Sequence, residues 1–131
     1  MALSDNKVAL LLVAHGSRRA ESNREVAQLA EQLQADLTTD FAMVKVAFLE
    51  LAEPSIPEGI KACALAGADS VVILPYFLNT GRHVAEDIPA EIDKARQQLP
   101  DLNINLQAHI GALPEMRNLL IKAAVDKHEN S

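Results

Sequence analysis

The chain has 131 residues, of which 49% are hydrophobic, and a formal net charge of −6. That length holds one domain with a real core and is too short for two, while the acidic balance argues against a long-range pull on DNA or RNA. Aromatics are 3% with no Trp, and Cys63 is the single cysteine, so the composition excludes a base-stacking platform, an internal disulfide and any Cys-rich zinc or iron–sulfur site.

Met1 to Lys7 is short and polar, and the apolar stretch after it is only about a strand long. No signal peptide or membrane span is expected, and a reducing, cytoplasmic setting fits. Val8 to Ala14 is a continuous apolar run, as for a strand buried on both faces. The next helix is expected from about Arg18 to Leu37, with Val26, Leu29, Ala30, Leu33 and Leu37 on its buried face. A second strand is expected over Ala42 to Leu49. The helix after it spans Pro54 to Ala66 and stops at Gly67.

Ser70 to Phe77 is rich in β-branched residues and reads as the third strand. Its helix is expected to open near Asp87-Ile88-Pro89, with Asp87 as N-cap and Pro89 in the first turn. Ile88, Ile92, Ala95 and Leu99 would face inward, and Pro100 ends the helix. Asn103 to Ala108 is the least apolar strand, suited to an edge. The last helix starts near Pro114 with Met116, Leu119, Leu120 and Ala123 inward. Residues 126–131 form a polar tail, in which His128 is expected to be exposed.

Strands alternating with helices imply a parallel sheet with right-handed crossovers. The expected fold is α/β: a three-layer sandwich around a four-stranded parallel sheet, with residues 1–131 as one domain.

In such a sheet the loops at the carboxyl ends of the strands share one rim, and ligands bind there. Here these loops carry His15-Gly16-Ser17-Arg18, Glu50-Leu51-Ala52-Glu53, Asn79-Thr80-Gly81-Arg82-His83 and His109-Ile110-Gly111. Two imidazoles far apart in sequence, His15 and His83, are thereby brought to one cleft, suited to a divalent metal or to proton transfer. Gly16 lets the backbone approach a ligand closely. Ser17 offers an N-cap. Arg18 and Arg19 oppose the dipole at a helix start, a conflict that an anionic ligand relieves or that water absorbs. Gly81 permits a tight turn. Arg82 suits a carboxylate, or else an ion pair with Glu86 or Asp87. Glu50 closes the apolar run Val46-Ala47-Phe48-Leu49, where it would be partly desolvated and suited to proton transfer, or else an ordinary solvated strand end. His109 ends the edge strand and is a weaker candidate. Cys63, in an Ala-rich helix, reads as a small core residue.

Taken in order, these segments resemble a known family. Val13-Ala14-His15-Gly16-Ser17-Arg18, then Ala47-Phe48-Leu49-Glu50 with Pro54-Ser55-Ile56, then Leu74-Pro75-Tyr76-Phe77-Leu78, Gly81-Arg82-His83 and Asp87-Ile88-Pro89 are similar to the small sirohydrochlorin cobaltochelatases. These are class II tetrapyrrole metal chelatases of the short CbiX type. The series spans nearly the whole chain. The resemblance implies a chelatase-like α/β domain that pairs as a homodimer and inserts Co²⁺ into sirohydrochlorin on the route to cobalamin. It implies that His15 is proton acceptor and metal ligand and that His83 is the second metal ligand. Glu50 and the loop Leu78, Asn79, Thr80, Gly81, Arg82 and His83 would contact the tetrapyrrole.

The chemistry agrees with the residues. Metal insertion removes two pyrrole N–H protons and hands over a divalent ion. Neutral imidazole suits Co²⁺ and leaves it exchangeable; Ni²⁺ and Fe²⁺ fit the same ligands. Sirohydrochlorin carries many carboxylates, so an acidic chain needs local cations, and Arg18, Arg19 and Arg82 supply them. No phosphate-binding Gly-rich loop is present, which predicts chemistry without a nucleotide. Two other readings compete. A histidine phosphatase needs Arg before its nucleophilic His, and Ala14 stands there. A non-catalytic metal-binding module would bind metal without turning over a tetrapyrrole.

Overall fold

A computed structural model describes residues 7–37 and 39–127. The elements are β1 (Val8–Ala14), α1 (Ala20–Asp36), β2 (Met43–Phe48), α2 (Ile56–Leu65), β3 (Ser70–Pro75), α3 (Arg82–Gln98), β4 (Asn103–Leu106), a 3₁₀ turn (Ile110–Ala112) and α4 (Glu115–Lys127). The four strands are parallel and lie in the order β2-β1-β3-β4. The α/β sandwich expected from the βα rhythm is what the chain forms, with β4 at an edge as its polarity suggests.

The apolar runs explain the centre. β1 sits between β2 and β3, with Leu12 level with Val46 on one side and Leu74 on the other. A strand with neighbours at both edges and helices over both faces must be apolar throughout, and six of its seven residues are buried. One face packs under α2 and α3. Leu11, Val13, Ile60, Cys63, Ile73 and Ile92 there are almost completely shielded from water. The other face packs under α1, where Leu10, Leu12, Ala30 and Val44 are buried against Val26, Leu29 and Leu33.

Local chemistry sets the helix ends. At α2, the Ser55 hydroxyl accepts from the Glu58 N–H and the Glu58 carboxylate accepts from the Ser55 N–H, a reciprocal cap. Gly67, at φ +108, ends the same helix. No helix among the described residues is long and apolar enough to cross a membrane.

Three expectations need correction. First, α3 opens at Arg82 with Gly81 as N-cap, not at Asp87, and Pro89 lies inside it. Pro89 and Ala85 both face solvent, so water can serve the Ala85 carbonyl that a proline cannot bond. Second, α1 starts at Ala20, and Arg19 rather than Ser17 is its N-cap residue. Third, α4 does not bury Leu119, Leu120 and Ala123: Leu119 and Leu120 are 58% and 61% exposed, and Ala123 is exposed too. Neither apolar core contains an α4 residue, and the helix packs chiefly on the Ile110–Ala112 turn that leads into it. His128 lies outside the described residues.

Candidate active site

Because the strands are parallel, the loops after β1, β2, β3 and β4 share one rim, and His15 stands centrally on it. The β1–β2 ladder runs on beyond both strands. The Leu49 N–H donates to the Ala14 carbonyl at 2.9 Å, and the Glu50 N–H donates to the His15 carbonyl at 3.0 Å. Two residues 35 positions apart are thereby set side by side, and His15 Nε2 lies 2.7 Å from Glu50 Oε2.

The backbone around this pair is specialised. Gly16 has φ +98, and a Cβ there would fall 1.7 Å from the Glu50 carbonyl oxygen. Its freedom serves this close approach of two loops. Leu51 is left-handed at φ +66, which costs a non-glycine residue about 1–2 kcal/mol. Ser17 is fastened to α1 by Asn23: its N–H donates to Asn23 Oδ1 at 3.0 Å, and Asn23 Nδ2 donates to its carbonyl at 2.8 Å. The Ser17 hydroxyl accepts from the Arg19 N–H, closing the turn into the helix.

The pair is open to water. The His15 and Glu50 side chains are 48% and 57% exposed, so the expectation of a desolvated Glu50 fails. An exposed pair of this kind stabilises a fold by less than about 1 kcal/mol. That is no more than the left-handed Leu51 costs, so stability does not account for the arrangement. Its chemistry does. When Nε2 carries the proton and donates to Glu50, Nδ1 keeps its lone pair for a metal ion or a proton.

Phe77 completes the surroundings of His15. Its ring lies edge-on to the imidazole, with centroids 6.3 Å apart. The loop that follows is locked from behind. The Gly111 N–H donates to the Phe77 carbonyl at 2.9 Å, and a Cβ on Gly111 would fall 1.6 Å from the Leu78 carbonyl oxygen. Leu78 is 67% exposed, with Asn79 and Gly81 also exposed and Thr80 half-buried. Gly81, at φ −77, adopts a conformation open to any residue, so the tight turn expected of it is not there.

His83 and Arg82 belong to the first turn of α3 rather than to a loop, and both are exposed. Arg82 pairs with Glu86 at 3.6 Å, with its side chain 88% exposed; such a contact leaves it free to swing. Arg19 pairs as loosely with Glu21, and Arg18 is exposed. Among the described residues, no three His, Cys, Asp or Glu side chains form a cluster able to hold a metal. His15 and Glu50 meet, and His83 is not a third member of that pair. His109 lines a cavity of about 180 Å³ with Thr80, Ile88 and Leu106, behind the same loop. A larger hollow, about 490 Å³, lies between α1, α2 and the β2 edge, and no histidine lines it.

Phe77, Asn23 and Gly111 are the participants that sequence reading missed as such. Phe77 and Gly111 lay in plain view within quoted motifs, but their contacts are tertiary. Asn23 looked like one polar residue among many on a solvated helix.

The family model described as CbiX matches residues 9–127. The chain belongs to the CbiX family. It is 35% identical over 127 residues to the sirohydrochlorin ferrochelatase of Priestia megaterium, covering 94% of this chain and 47% of that protein. It is 43% identical over 82 residues to the sirohydrochlorin cobaltochelatase of Methanopyrus kandleri, covering 63% of this chain and 56% of that one. The solved CbiX protein of Marinobacter aquaeolei VT8 superposes with a TM-score of 0.77 at 27% identity, covering 95% of this chain and 99% of the other. The chain thus spans about half the length of the two curated relatives and nearly the whole of this CbiX structure.

Proposed function

We propose that this CbiX-family chain inserts a divalent metal ion into sirohydrochlorin, with Co²⁺ as the expected ion. The hydrogen bond between His15 and Glu50 on the open rim carries the reading. Insertion releases the protons of two pyrrole N–H groups as the ion takes up the four macrocycle nitrogens. An imidazole with a carboxylate at 2.7 Å accepts such a proton and passes it to solvent, since both side chains are half exposed.

In this reading His15 acts as proton acceptor and metal ligand, and His83 is the second ligand from the neighbouring loop–helix junction. Two imidazoles leave positions for water and then for the macrocycle nitrogens. Glu50 and the Leu78–Arg82 segment contact the macrocycle, and Arg18 and Arg82 meet its carboxylates. A tetrapyrrole is wide and this rim is open, so two copies together would enclose more of it. A homodimer is therefore part of the proposal. No nucleotide, nucleic acid or membrane is required.

The ion is the finer point. Curated relatives are named for iron and for cobalt, and Fe²⁺ and Ni²⁺ suit the same ligands as Co²⁺. Anaerobic insertion into sirohydrochlorin with Co²⁺, Fe²⁺ and Ni²⁺ in parallel tests the reading. Faster Co²⁺ insertion with protein than without supports it, and preference for another ion corrects the metal.

A further inference from the structure

We infer that Phe77 is a positioning residue for His15: its ring is the fixed contact that holds the imidazole in the orientation in which it meets Glu50. This role deepens the proposed function, since it rests on His15 as the reacting side chain.

Little else holds the His15 ring. The residue lies just past the end of β1, next to Gly16 at φ +98, and its side chain is 48% exposed. Among the described residues, its side chain makes one hydrogen bond, to a Glu50 side chain that is itself 57% exposed. One bond between two exposed side chains fixes a distance and not an orientation. The two can swing together, and the imidazole can pivot about Nε2. Proton transfer is intolerant of this, because a misplacement of about 1 Å costs on the order of 10²-fold in rate.

The sheet brings Phe77 to the other flank of the imidazole. Val13 is level with Pro75 across β1 and β3, and the Tyr76 N–H donates to the Val13 carbonyl at 2.7 Å. Two residues beyond Val13 and Pro75, His15 and Phe77 come side by side. Their rings meet at 74° with centroids 6.3 Å apart, as in edge-to-face aromatic pairs. The imidazole therefore stands between a carboxylate on the β2 side and an aromatic wall on the β3 side.

The wall is anchored where Glu50 is not. Phe77 is half-buried and packs against the core under α2 and α3. Its carbonyl accepts from the Gly111 N–H at 2.9 Å, and Gly111 abuts the Leu78 carbonyl. A ring seated on the core, on a backbone tied from behind, supplies the orientation that Glu50 alone leaves open. A phenyl group has no acid, base or ligand atom, so its effect on the chemistry passes through His15.

Three variants test this. Phe77→Leu keeps an apolar side chain on the core and removes the ring. Phe77→Tyr keeps the ring. Ile104→Val, in the same core, loosens packing at a distance from the rim. Long-range proton–nitrogen NMR of the metal-free protein at about pH 8.5, above the imidazole range, reads which nitrogen of His15 carries the proton. His15→Gln assigns the signals. The expected result is a single tautomer, protonated at Nε2, in the wild type, Phe77→Tyr and Ile104→Val. Phe77→Leu should show shifts averaged between the two tautomers. In anaerobic Co²⁺ insertion, kcat should fall about tenfold in Phe77→Leu, the loss of one aromatic contact. Phe77→Tyr should recover most of that rate, and Ile104→Val should match the wild type.

Averaged shifts in the wild type, or a single tautomer with unchanged kcat in Phe77→Leu, would overturn the role. So would equal losses in Phe77→Leu and Phe77→Tyr, which would place the effect in loop packing. An equal change in Ile104→Val would place it in general loosening, with the same consequence. The wild-type spectrum tests the hold on the ring even if Phe77→Leu does not fold. A wild type that inserts no metal would remove the proposed function and leave the spectra to decide the positioning.

Discussion

His15 Nε2 and Glu50 Oε2 lie 2.7 Å apart because β1 and β2 stay in register up to Ala14 and Phe48 and the ladder continues through Leu49 and Glu50. The pair is a product of sheet geometry and not of a local motif. It follows that either side chain can be changed without touching the core.

Glu50→Gln keeps a hydrogen-bond acceptor but removes the charge that stabilises a protonated imidazole. Metal insertion should slow by about 10²-fold, the low end for a general-base system. The apparent KM for the tetrapyrrole should shift less than kcat, since Gln keeps the size of the side chain that meets the macrocycle. Steady-state anaerobic kinetics check both numbers, and a variant with unchanged kcat would remove Glu50 from proton transfer.

His15→Ala and His83→Ala should separate two roles. Loss of His83 weakens the hold on the ion, so its rate should recover as Co²⁺ is raised. Loss of His15 removes a ligand and the proton acceptor together, so excess metal should recover little. Both residues are exposed, and circular dichroism should show an intact fold in each case. Wild-type turnover by either variant at limiting Co²⁺ would rule out that residue as a ligand.

The strands, the helix faces and the rim loops were legible because they rest on local periodicity. Val8–Ala14 can be little else than a buried strand. Ile88, Ile92 and Ala95 face inward as their spacing requires, although the start of α3 was misplaced. Asp87 and Pro89 mimic a helix start, and the true N-cap, Gly81, makes no side-chain cap bond that a sequence could betray. The apolar residues of α4 were visible too, but periodicity says only that a face is apolar. It does not say what that face packs against. The His15–Glu50 bond needed the strand order, since β1 has β2 on one side and β3 on the other.

Glycine substitutions should rank by what the structure puts beside each Cβ. Gly16→Ala and Gly111→Ala each drive a methyl into a backbone carbonyl, at 1.7 Å and 1.6 Å. Each should cost at least about 2–3 kcal/mol. Gly67→Ala meets nothing within 4 Å but sits at φ +108, so only strain remains, about 1 kcal/mol. Gly81→Ala has open space and an ordinary φ and should be nearly neutral. Urea midpoints test the order, and a neutral Gly111→Ala would mean that the loop after Phe77 is not backed by Gly111 as described.

Cys63 is fully buried, and desolvation by burial pushes its thiol from 9.0 up to about 11, against a smaller lowering by Lys45. In the unfolded chain the thiol ionises above about pH 9 while the native thiol keeps its proton. Its contribution to stability is therefore whole below pH 9 and is lost as pH rises toward 11, on the order of 2 kcal/mol. Urea unfolding at pH 8 and pH 10.5 should show this loss, and Cys63→Ala should reduce the difference between the two. An identical difference in the variant would assign the alkaline loss to other groups.

The most direct measurement of the central claim is the anaerobic absorbance change of sirohydrochlorin with limiting Co²⁺, without nucleotide, comparing no protein, wild type and His15→Ala. The account predicts multiple-turnover acceleration by the wild type and a rate near background for His15→Ala. A wild-type rate equal to background, or a His15→Ala rate equal to wild type, would contradict it.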